Sequence, residues 1–262
     1  MNMKVICFKL FHALMLSMLM LSTSLYVSCG DDDDDPDDIS RDLEFAFSDG
    51  ELNVYSDGTL FYYLTDDFLT DHDLEAWICG MEPSKSKVVI PSHVRYYGKN
   101  YRVEFDGGAF EHCTNLKQVT IPNTITIIED GAFEGCSSLT NVNIPNSIIE
   151  IRNSAFEGCT RLKTIELGNS VRKISYRAFA NSGLESITIP KSESGTEIGE
   201  EAFSECSYLK NVYISNSVTS IGKAVFYKCW SIKSMTIPKW FEGVLFYIFG
   251  DSNYENVKFT FI

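Results

Sequence analysis

Basic residues, histidine and proline are scarce in this chain, and each scarcity excludes something. Of 262 residues, 22 are Lys or Arg against 36 Asp or Glu, while only 4 are His and 7 are Pro. Residues 30–82 set 18 carboxylates against Arg41 alone, whereas residues 83–262 hold 18 acidic and 19 basic side chains. No basic stripe exists to displace counterions from a phosphate backbone, so no nucleic acid is expected as a partner. Gly-x-Ser-x-Gly, His-Glu-x-x-His and Gly-rich phosphate loops are missing, and with them the usual nucleophile, zinc and nucleotide chemistries. Beyond residue 30 the histidines are His72, His93 and His112. His112 adjoins Cys113, but sequence neighbours generally point apart, which spoils a nucleophile–base couple. The paired carboxylates Glu200 and Glu201 read as solvated surface. No catalytic residue, metal ligand or cofactor is expected, and the chain reads as a non-enzyme.

Long apolar runs are also missing, with one exception. Leu10 to Val27 is apolar, follows Lys4 and Lys9, and ends at Ser28-Cys29. Residues 1–28 read as a bacterial export signal, with Cys29 as the lipidated first residue of the mature protein. The position three before Cys29 is Tyr26 where such sites usually carry Leu. An uncleaved anchor, or a signal cleaved without modification of Cys29, is the alternative. Residues 29–42 form an acidic linker, because the run Asp31 to Asp35 and the pair Asp37-Asp38 repel one another and stay solvated. An acidic run directly after an acylated Cys is similar to the signal that carries certain Gram-negative lipoproteins to the cell surface. The expected location is therefore the outer membrane, lipid-anchored and surface-exposed.

What the chain has in quantity is repetition. The Phe of an Ala-Phe or Val-Phe pair recurs as Phe110, Phe133, Phe156, Phe179, Phe203 and Phe226, at spacings of 23, 23, 23, 24 and 23. A fixed period of this size is the signature of a solenoid. Leu116, Leu139, Leu162, Leu184, Leu209 and Ile232 make a second column. Val119, Val142, Ile165, Ile187, Val212 and Met235 follow three residues on, then Ile121, Ile144, Leu167, Ile189, Ile214 and Ile237. Leu-x-x-Val-x-Ile predicts a strand whose alternate residues face one core. Pro122, Pro145, Pro190 and Pro238 end ladder pairing there. Asn123, Asn146, Asn169 and Asn216 suit a turn and a stacked amide ladder. A column five before each Phe, Phe105 to Ile221, marks a second short strand, and Ala-Phe with the following Cys fits one short helical turn. Two extra residues between Lys191 and Gly199 predict a bulging loop.

Outside the repeat, residues 43–87 alternate in hydrophobicity around Ser-Asp-Gly turns and predict a small β N-terminal cap. Tyr96 to Tyr101 predicts a hairpin projecting from the first coil. Residues 88–262 hold about six to seven repeats, closed by a C-terminal aromatic cap of Trp240, Phe241, Leu245, Phe246 and Tyr247 and an edge strand from Tyr254. Of the 8 cysteines, Cys113, Cys136, Cys159, Cys206 and Cys229 share one column that Ser182 interrupts. Stacked coils place such residues about 4.8 Å apart, yet side chains in a ladder point the same way and miss the disulfide dihedral. They are expected as buried free thiols.

The pattern Leu-x-x-Val-x-Ile-Pro-x-x-Ile-x-x-Ile-x-x-x-Ala-Phe-x-x-Cys resembles the BspA-like class of bacterial leucine-rich repeats over residues 88–262. The departures are Glu129, Arg152 and Ser175, where a repeat Gly is usual, and Ser182 in place of Cys. The resemblance implies an α/β repeat solenoid: a right-handed leucine-rich-repeat coil with short strands and short helical turns. It also implies a surface protein that binds other proteins or adheres to host material, and it supplies no shared catalytic residues. The expected function is a cell-surface lipoprotein that binds a protein or glycan ligand, host-derived ones included, while held to the membrane by its N-terminal lipid. A structural envelope scaffold facing the periplasm is the alternative. The candidate contact residues are Tyr96, Tyr97 and Tyr101 of the hairpin and Tyr213 on the outward strand face.

Overall fold

The computed structural model describes residues 40–48, 53–65, 74–250 and 254–262. Cys29, His72 and residues 29–39 of the expected linker lie outside them, whereas residues 40–42, expected as the end of that linker, form a strand paired with His93–Arg95.

The N-terminal block contributes β1 (Ser40–Asp42), β2 (Glu44–Ser48), β3 (Asn53–Ser56), β4 (Leu60–Thr65) and β5 (Glu75–Met81). The first coil adds β6 (Lys87–Val89), β7 (His93–Tyr96) and β8 (Lys99–Phe105). One seven-stranded sheet runs β1-β7-β8-β5-β4-β3-β2. Its hairpins are antiparallel, but β5 pairs parallel with β8, Ala76 opposite Val103 and Ile78 opposite Phe105. The block is therefore hydrogen-bonded to the first coil rather than laid across it. The β7–β8 pairing, Tyr96 opposite Lys99, confirms the hairpin expected there.

The coils continue with β9 (Gln118–Thr120), β10 (Ile127–Ile128), β11 (Asn141–Val142), β12 (Glu150–Ile151), β13 (Lys173–Ile174), β14 (Ser186–Ile189), β15 (Thr196–Ile198), β16 (Asn211–Ile214), β17 (Val218–Ile221), β18 (Ser234–Ile237) and, after residue 257, β19 (Lys258–Phe261). Parallel pairing of equivalent residues one coil apart gives a β-solenoid of about eight turns with little helix. On the Leu-x-x-Val-x-Ile side, β6, β9 and β11 form one ribbon and β14, β16, β18 and β19 another. The coil of Ile165 and Leu167, between them, has no assigned strand. The corner from Phe179 to Leu184 is one residue short, and Gly183 is drawn so close that a Cβ there would lie 2.2 Å from the Thr160 carbonyl oxygen. On the second side, β10, β12, β13, β15 and β17 make one continuous ribbon.

The third side differs from expectation. No helix is assigned at any Ala-Phe pair; among the described residues the helical segments are a 3₁₀ turn at Lys239–Val244 and a short helix α1 (Leu245–Phe249). Two positions per coil explain this. Residues two before and two after the Phe have left-handed backbone: Gly131 and Gly135 at φ 62° and 69°, Arg177 and Asn181 both at 53°, Ala224 and Lys228 at 55° and 56°. A left-handed residue every fourth position cannot continue a right-handed helix. Instead alternate N–H groups turn to the next coil. Gly131 N–H donates to Asn153 O, Phe133 N–H to Ala155 O and Gly135 N–H to Glu157 O, at 2.7–2.8 Å.

That ladder sets the core. The six Phe rings from Phe110 to Phe226 stack with centroids 5.2–5.8 Å apart and planes within 10°, and all are fully buried. Each such ring contributes about 1.5–3 kcal/mol of burial, with stacking adding about 0.5–1.5 kcal/mol. The cysteine column is free thiols, and its choice over Val has a reason. The Sγ of Cys136, Cys159, Cys206 and Cys229 each donates to the Phe carbonyl of the preceding coil at 3.0–3.2 Å. Burial pushes the Cys159 thiol up to about 12, so it stays protonated and serves as a donor. Ser182 keeps the chain going with a hydroxyl 3.3 Å from Cys206 Sγ.

Two smaller expectations need correction. The amide ladder does not form at Asn123, Asn146, Asn169 and Asn216, which are exposed. Asn143 does that job instead, its Oδ1 accepting from Ile121 N–H at 2.7 Å and its Nδ2 donating to Ile121 O at 3.1 Å. The stretch before Gly199 is a loop only in part. Residues 191–195 make a turn with Lys191, Glu193 and Ser194 exposed, and Thr196–Ile198 then joins the ribbon as β15, with Thr196 buried and donating to Val171 O at 2.9 Å.

Candidate interaction surfaces

Three places could meet a ligand. The first is the hairpin. Tyr97 and Gly98, at φ 47° and 77°, have the two left-handed residues that a tight two-residue hairpin turn requires. That geometry pushes Tyr97 outward to 89% exposure. Tyr96 packs between rings, 4.4 Å from Tyr55 and 4.5 Å from Tyr97 between centroids. Its hydrogen bond with Tyr55 raises its phenol well above the ordinary range. Tyr101 leaves the candidate set: opposite Val94 on the inward side of β8, it is only 2% exposed and part of the core.

The second place is the outward face of the four-stranded ribbon. Register puts Thr188, Tyr213 and Thr236 in one row, with Thr260 beyond Thr236. Ser186, Asn211, Ser234 and Lys258 form the next row, where Ser234 Oγ donates to Asn211 Oδ1 at 2.8 Å. Tyr213 is 41% exposed on this otherwise small-residue face. Tyr208 and Trp230, exposed at the corners of adjacent coils, flank the same ribbon. Beside it Glu185 sits between Lys210 at 2.8 Å and Lys163 at 3.3 Å; the bond from Lys210 holds its carboxyl below the usual range. The C-terminal aromatics divide: Phe241 and Phe249 are buried, whereas Trp240, Phe246 and Tyr247 face solvent.

The third place was not anticipated. On the second side, charges one period apart pair across coils: Arg152 with Glu129 at 2.5 Å, Lys173 with Glu150 at 2.9 Å. At the neighbouring turn Arg177 joins Glu157 at 2.7 Å and Glu201 at 2.5 Å, so Glu201 is paired rather than merely solvated. Burial opposes ionisation of Glu157, but the Arg177 and Ser154 bonds outweigh it and hold the carboxyl low. Glu104 goes the other way. Burial raises it to about 7, Arg102 only partly compensating while Glu75 and Glu129 add repulsion. The readable signal was opposite charges 23 or 24 apart: Glu129 and Arg152, Glu150 and Lys173, Arg177 and Glu201.

His93 meets Ser92 Oγ at 3.2 Å, and His112 meets Glu111 at 3.4 Å. Among the described residues, no group of three or more His, Cys, Asp or Glu is placed to hold a metal ion, and no helix is long and apolar enough to cross a membrane.

Three solved structures are similar to this chain. A leucine-rich repeat protein from Bacteroides ovatus ATCC 8483 is 32% identical with a TM-score of 0.57, over 66% of this chain and 45% of that one, so the chain spans less than half of that protein's length. The leucine-rich repeat protein of T. pallidum is 28% identical over 68% of each chain, with a TM-score of 0.47. A leucine-rich cell surface protein from Faecalibacterium prausnitzii A2-165 is 22% identical over 71% of this chain and 82% of that one, with a TM-score of 0.35. No curated protein matches the sequence. The model of the BspA type leucine-rich repeat region matches in 6 copies, over residues 84–195 and 191–261. With that match spanning both ribbons and the Phe stack, the chain belongs to the BspA-type leucine-rich repeat family.

Proposed function

We propose that the protein is a non-enzymatic surface module, anchored in the outer membrane through lipidated Cys29, that binds a protein partner in adhesion. Its coils are taken as right-handed, the hand of parallel crossover connections. Leucine-rich repeats of this family are in general protein-binding modules. One observation supports the site most: the regular ribbon β14–β16–β18–β19 carries exposed Tyr213 among small polar neighbours, with Tyr208 and Trp230 at its margin. A flat hydrogen-bonding surface with a few aromatic anchors matches the anatomy of protein interfaces, where Tyr and Trp dominate the binding energy. Tyr97 on the hairpin supplies a second anchor, with Tyr96 as its support.

The experiment has two arms. Protease treatment of intact cells should remove the solenoid, and full protection would defeat the surface reading. Extracellular-matrix proteins should then be titrated against the detergent-solubilised protein and its Tyr213→Ala and Trp230→Ala variants. Loss of at least tenfold in affinity, equal to about 1.4 kcal/mol, is expected for either variant. Unchanged binding in both would move the interface away from this ribbon. Substituting Cys29→Ser should release the protein from the membrane fraction, and retention like the parent's would overturn the anchor.

A further inference from the structure

The second side of the coil has a step in it. Four residues before each Phe the column reads Asp106, Glu129, Arg152, Ser175, Gly199, Gly222. Large charged side chains thus give way to Ser and then to bare backbone along the ribbon β12–β13–β15. The step leaves a groove of about 500 Å³ floored by Ser175 and Gly199, within the roughly 300–1,000 Å³ of small-ligand sites.

The walls are polar and mostly committed to one another in charge. Glu150 is matched by Lys173 at 2.9 Å and Arg152 at 3.7 Å, and Arg152 by Glu129 at 2.5 Å. A charged ligand would have to compete with pairs already made, and an anion would also meet the carboxylates of Asp130 and Glu200. What remains uncommitted suits a neutral, hydroxyl-rich ligand. Asp130 Oδ1 is held by Asn153 N–H at 2.9 Å, and Asn153 Oδ1 by Tyr176 N–H at 3.2 Å. Because the Asn153 oxygen is engaged, its amino group is turned away as a free double donor. The second Asp130 oxygen and the Glu200 carboxylate remain as acceptors. Tyr176, 45% exposed and lining the same groove, adds an aromatic face beside them. A pyranose ring has adjacent hydroxyls that donate and accept, and a C–H face that lies on an aromatic ring. Held side chains lose little freedom on binding it.

We propose that this groove binds a neutral glycan segment, with Tyr176 as the stacking platform and Asp130, Asn153 and Glu200 as the hydroxyl partners. The site is separate from the Tyr213 ribbon and does not depend on it. The test screens the detergent-solubilised full-length protein on an array of neutral, sialylated and sulfated oligosaccharides, then titrates the strongest neutral probe by calorimetry. Neutral probes should bind, and Tyr176→Ala and Asn153→Ala should each weaken binding at least tenfold. Tyr213→Ala should leave glycan affinity unchanged while weakening the protein partner. Both groove positions are exposed or half-exposed, and unchanged thermal unfolding of the variants checks the fold. Absence of neutral-glycan binding by the folded protein, binding confined to charged glycans, or binding indifferent to both variants would overturn the proposal.

Discussion

The turn side and the strand side of this solenoid obey different rules. On the turn side, six Phe rings stack within 10° of parallel and the five coils from Phe110 to Phe203 each repeat the same three inter-coil hydrogen bonds. On the strand side the ladder divides into two ribbons, loses one strand at Ile165, and needs the Asn143 amide to replace a backbone pair. The difference follows from what each residue must satisfy. Turn-side positions each answer to two demands at once, the Phe to core volume and a ladder bond, its flanking residues to a left-handed φ and a ladder bond. An outward strand residue answers only to solvent. Regularity marks where these constraints coincide, and variation marks where binding can be built without disturbing the core.

The largest effects should separate the two sides by stability. Phe156→Ala removes a ring stacked on both neighbours at 5.2 Å and should cost about 3–5 kcal/mol. Asn141→Ala, exposed on β11, should stay within about 0.5 kcal/mol. Urea titration followed by circular dichroism reads both, and comparable losses would dissolve the contrast. Next comes Arg177→Met, which strands Glu157 and Glu201 where the guanidinium bridged them. With the Arg side chain 23% exposed, the loss should be about 1–2 kcal/mol at neutral pH. Because Glu157 is held low in the fold, its contribution is present above the ordinary carboxylate pKa and fades as pH falls. The gap between variant and parent should therefore narrow as pH falls below the ordinary carboxylate range.

The second side gives a pH test of opposite sign. Glu104 titrates near 7 against an ordinary 4.5, so the fold favours its protonated form. That contribution is whole below 4.5 and is lost as pH rises towards 7. Glu104→Gln should be neutral at pH 4.5 and stabilising at pH 8, by about 1 kcal/mol once the Arg102 ion pair and partial solvent screening are allowed for. Equal effects at both pH values would assign Glu104 to packing alone.

Much of this was legible in the sequence, for a physical reason. Core columns such as Phe133–Phe156 or Ile128–Ile151 recur because each must fill the same space one coil on. The backbone of the turn was less visible. Gly131, Gly135 and Gly158 hinted at left-handed positions, but Arg177, Glu205 and Lys228 adopt the same φ without being glycine, which hid the ladder and suggested a helix. Tyr101 looked like a ligand contact because three tyrosines crowd one hairpin, and only the register opposite Val94 shows it facing inward. Glu129 and Arg152 looked like flaws in a glycine column. They are partners across one period, and with Ser175 and Gly199 they define the step that makes the groove.

The smallest test asks whether the turn side is governed by backbone conformation rather than by side-chain identity. Gly131 and Ala224 occupy the same position two before the Phe, at φ 62° and 55°. Left-handed backbone costs an ordinary L-residue about 1–2 kcal/mol, while glycine's extra freedom in the unfolded chain offsets about 0.4–1 kcal/mol. Ala224→Gly should therefore stabilise by about 0.5–1 kcal/mol on these figures. Gly131→Ala, whose new Cβ would meet the flexible Glu134 carboxylate at 3.4 Å and nothing else nearer than 3.9 Å, should destabilise by a similar amount. The chemical change is mirrored and the site equivalent, so opposite shifts in melting temperature are required. Shifts of the same sign would mean that neighbouring coils, and not the local φ, decide what this turn accepts.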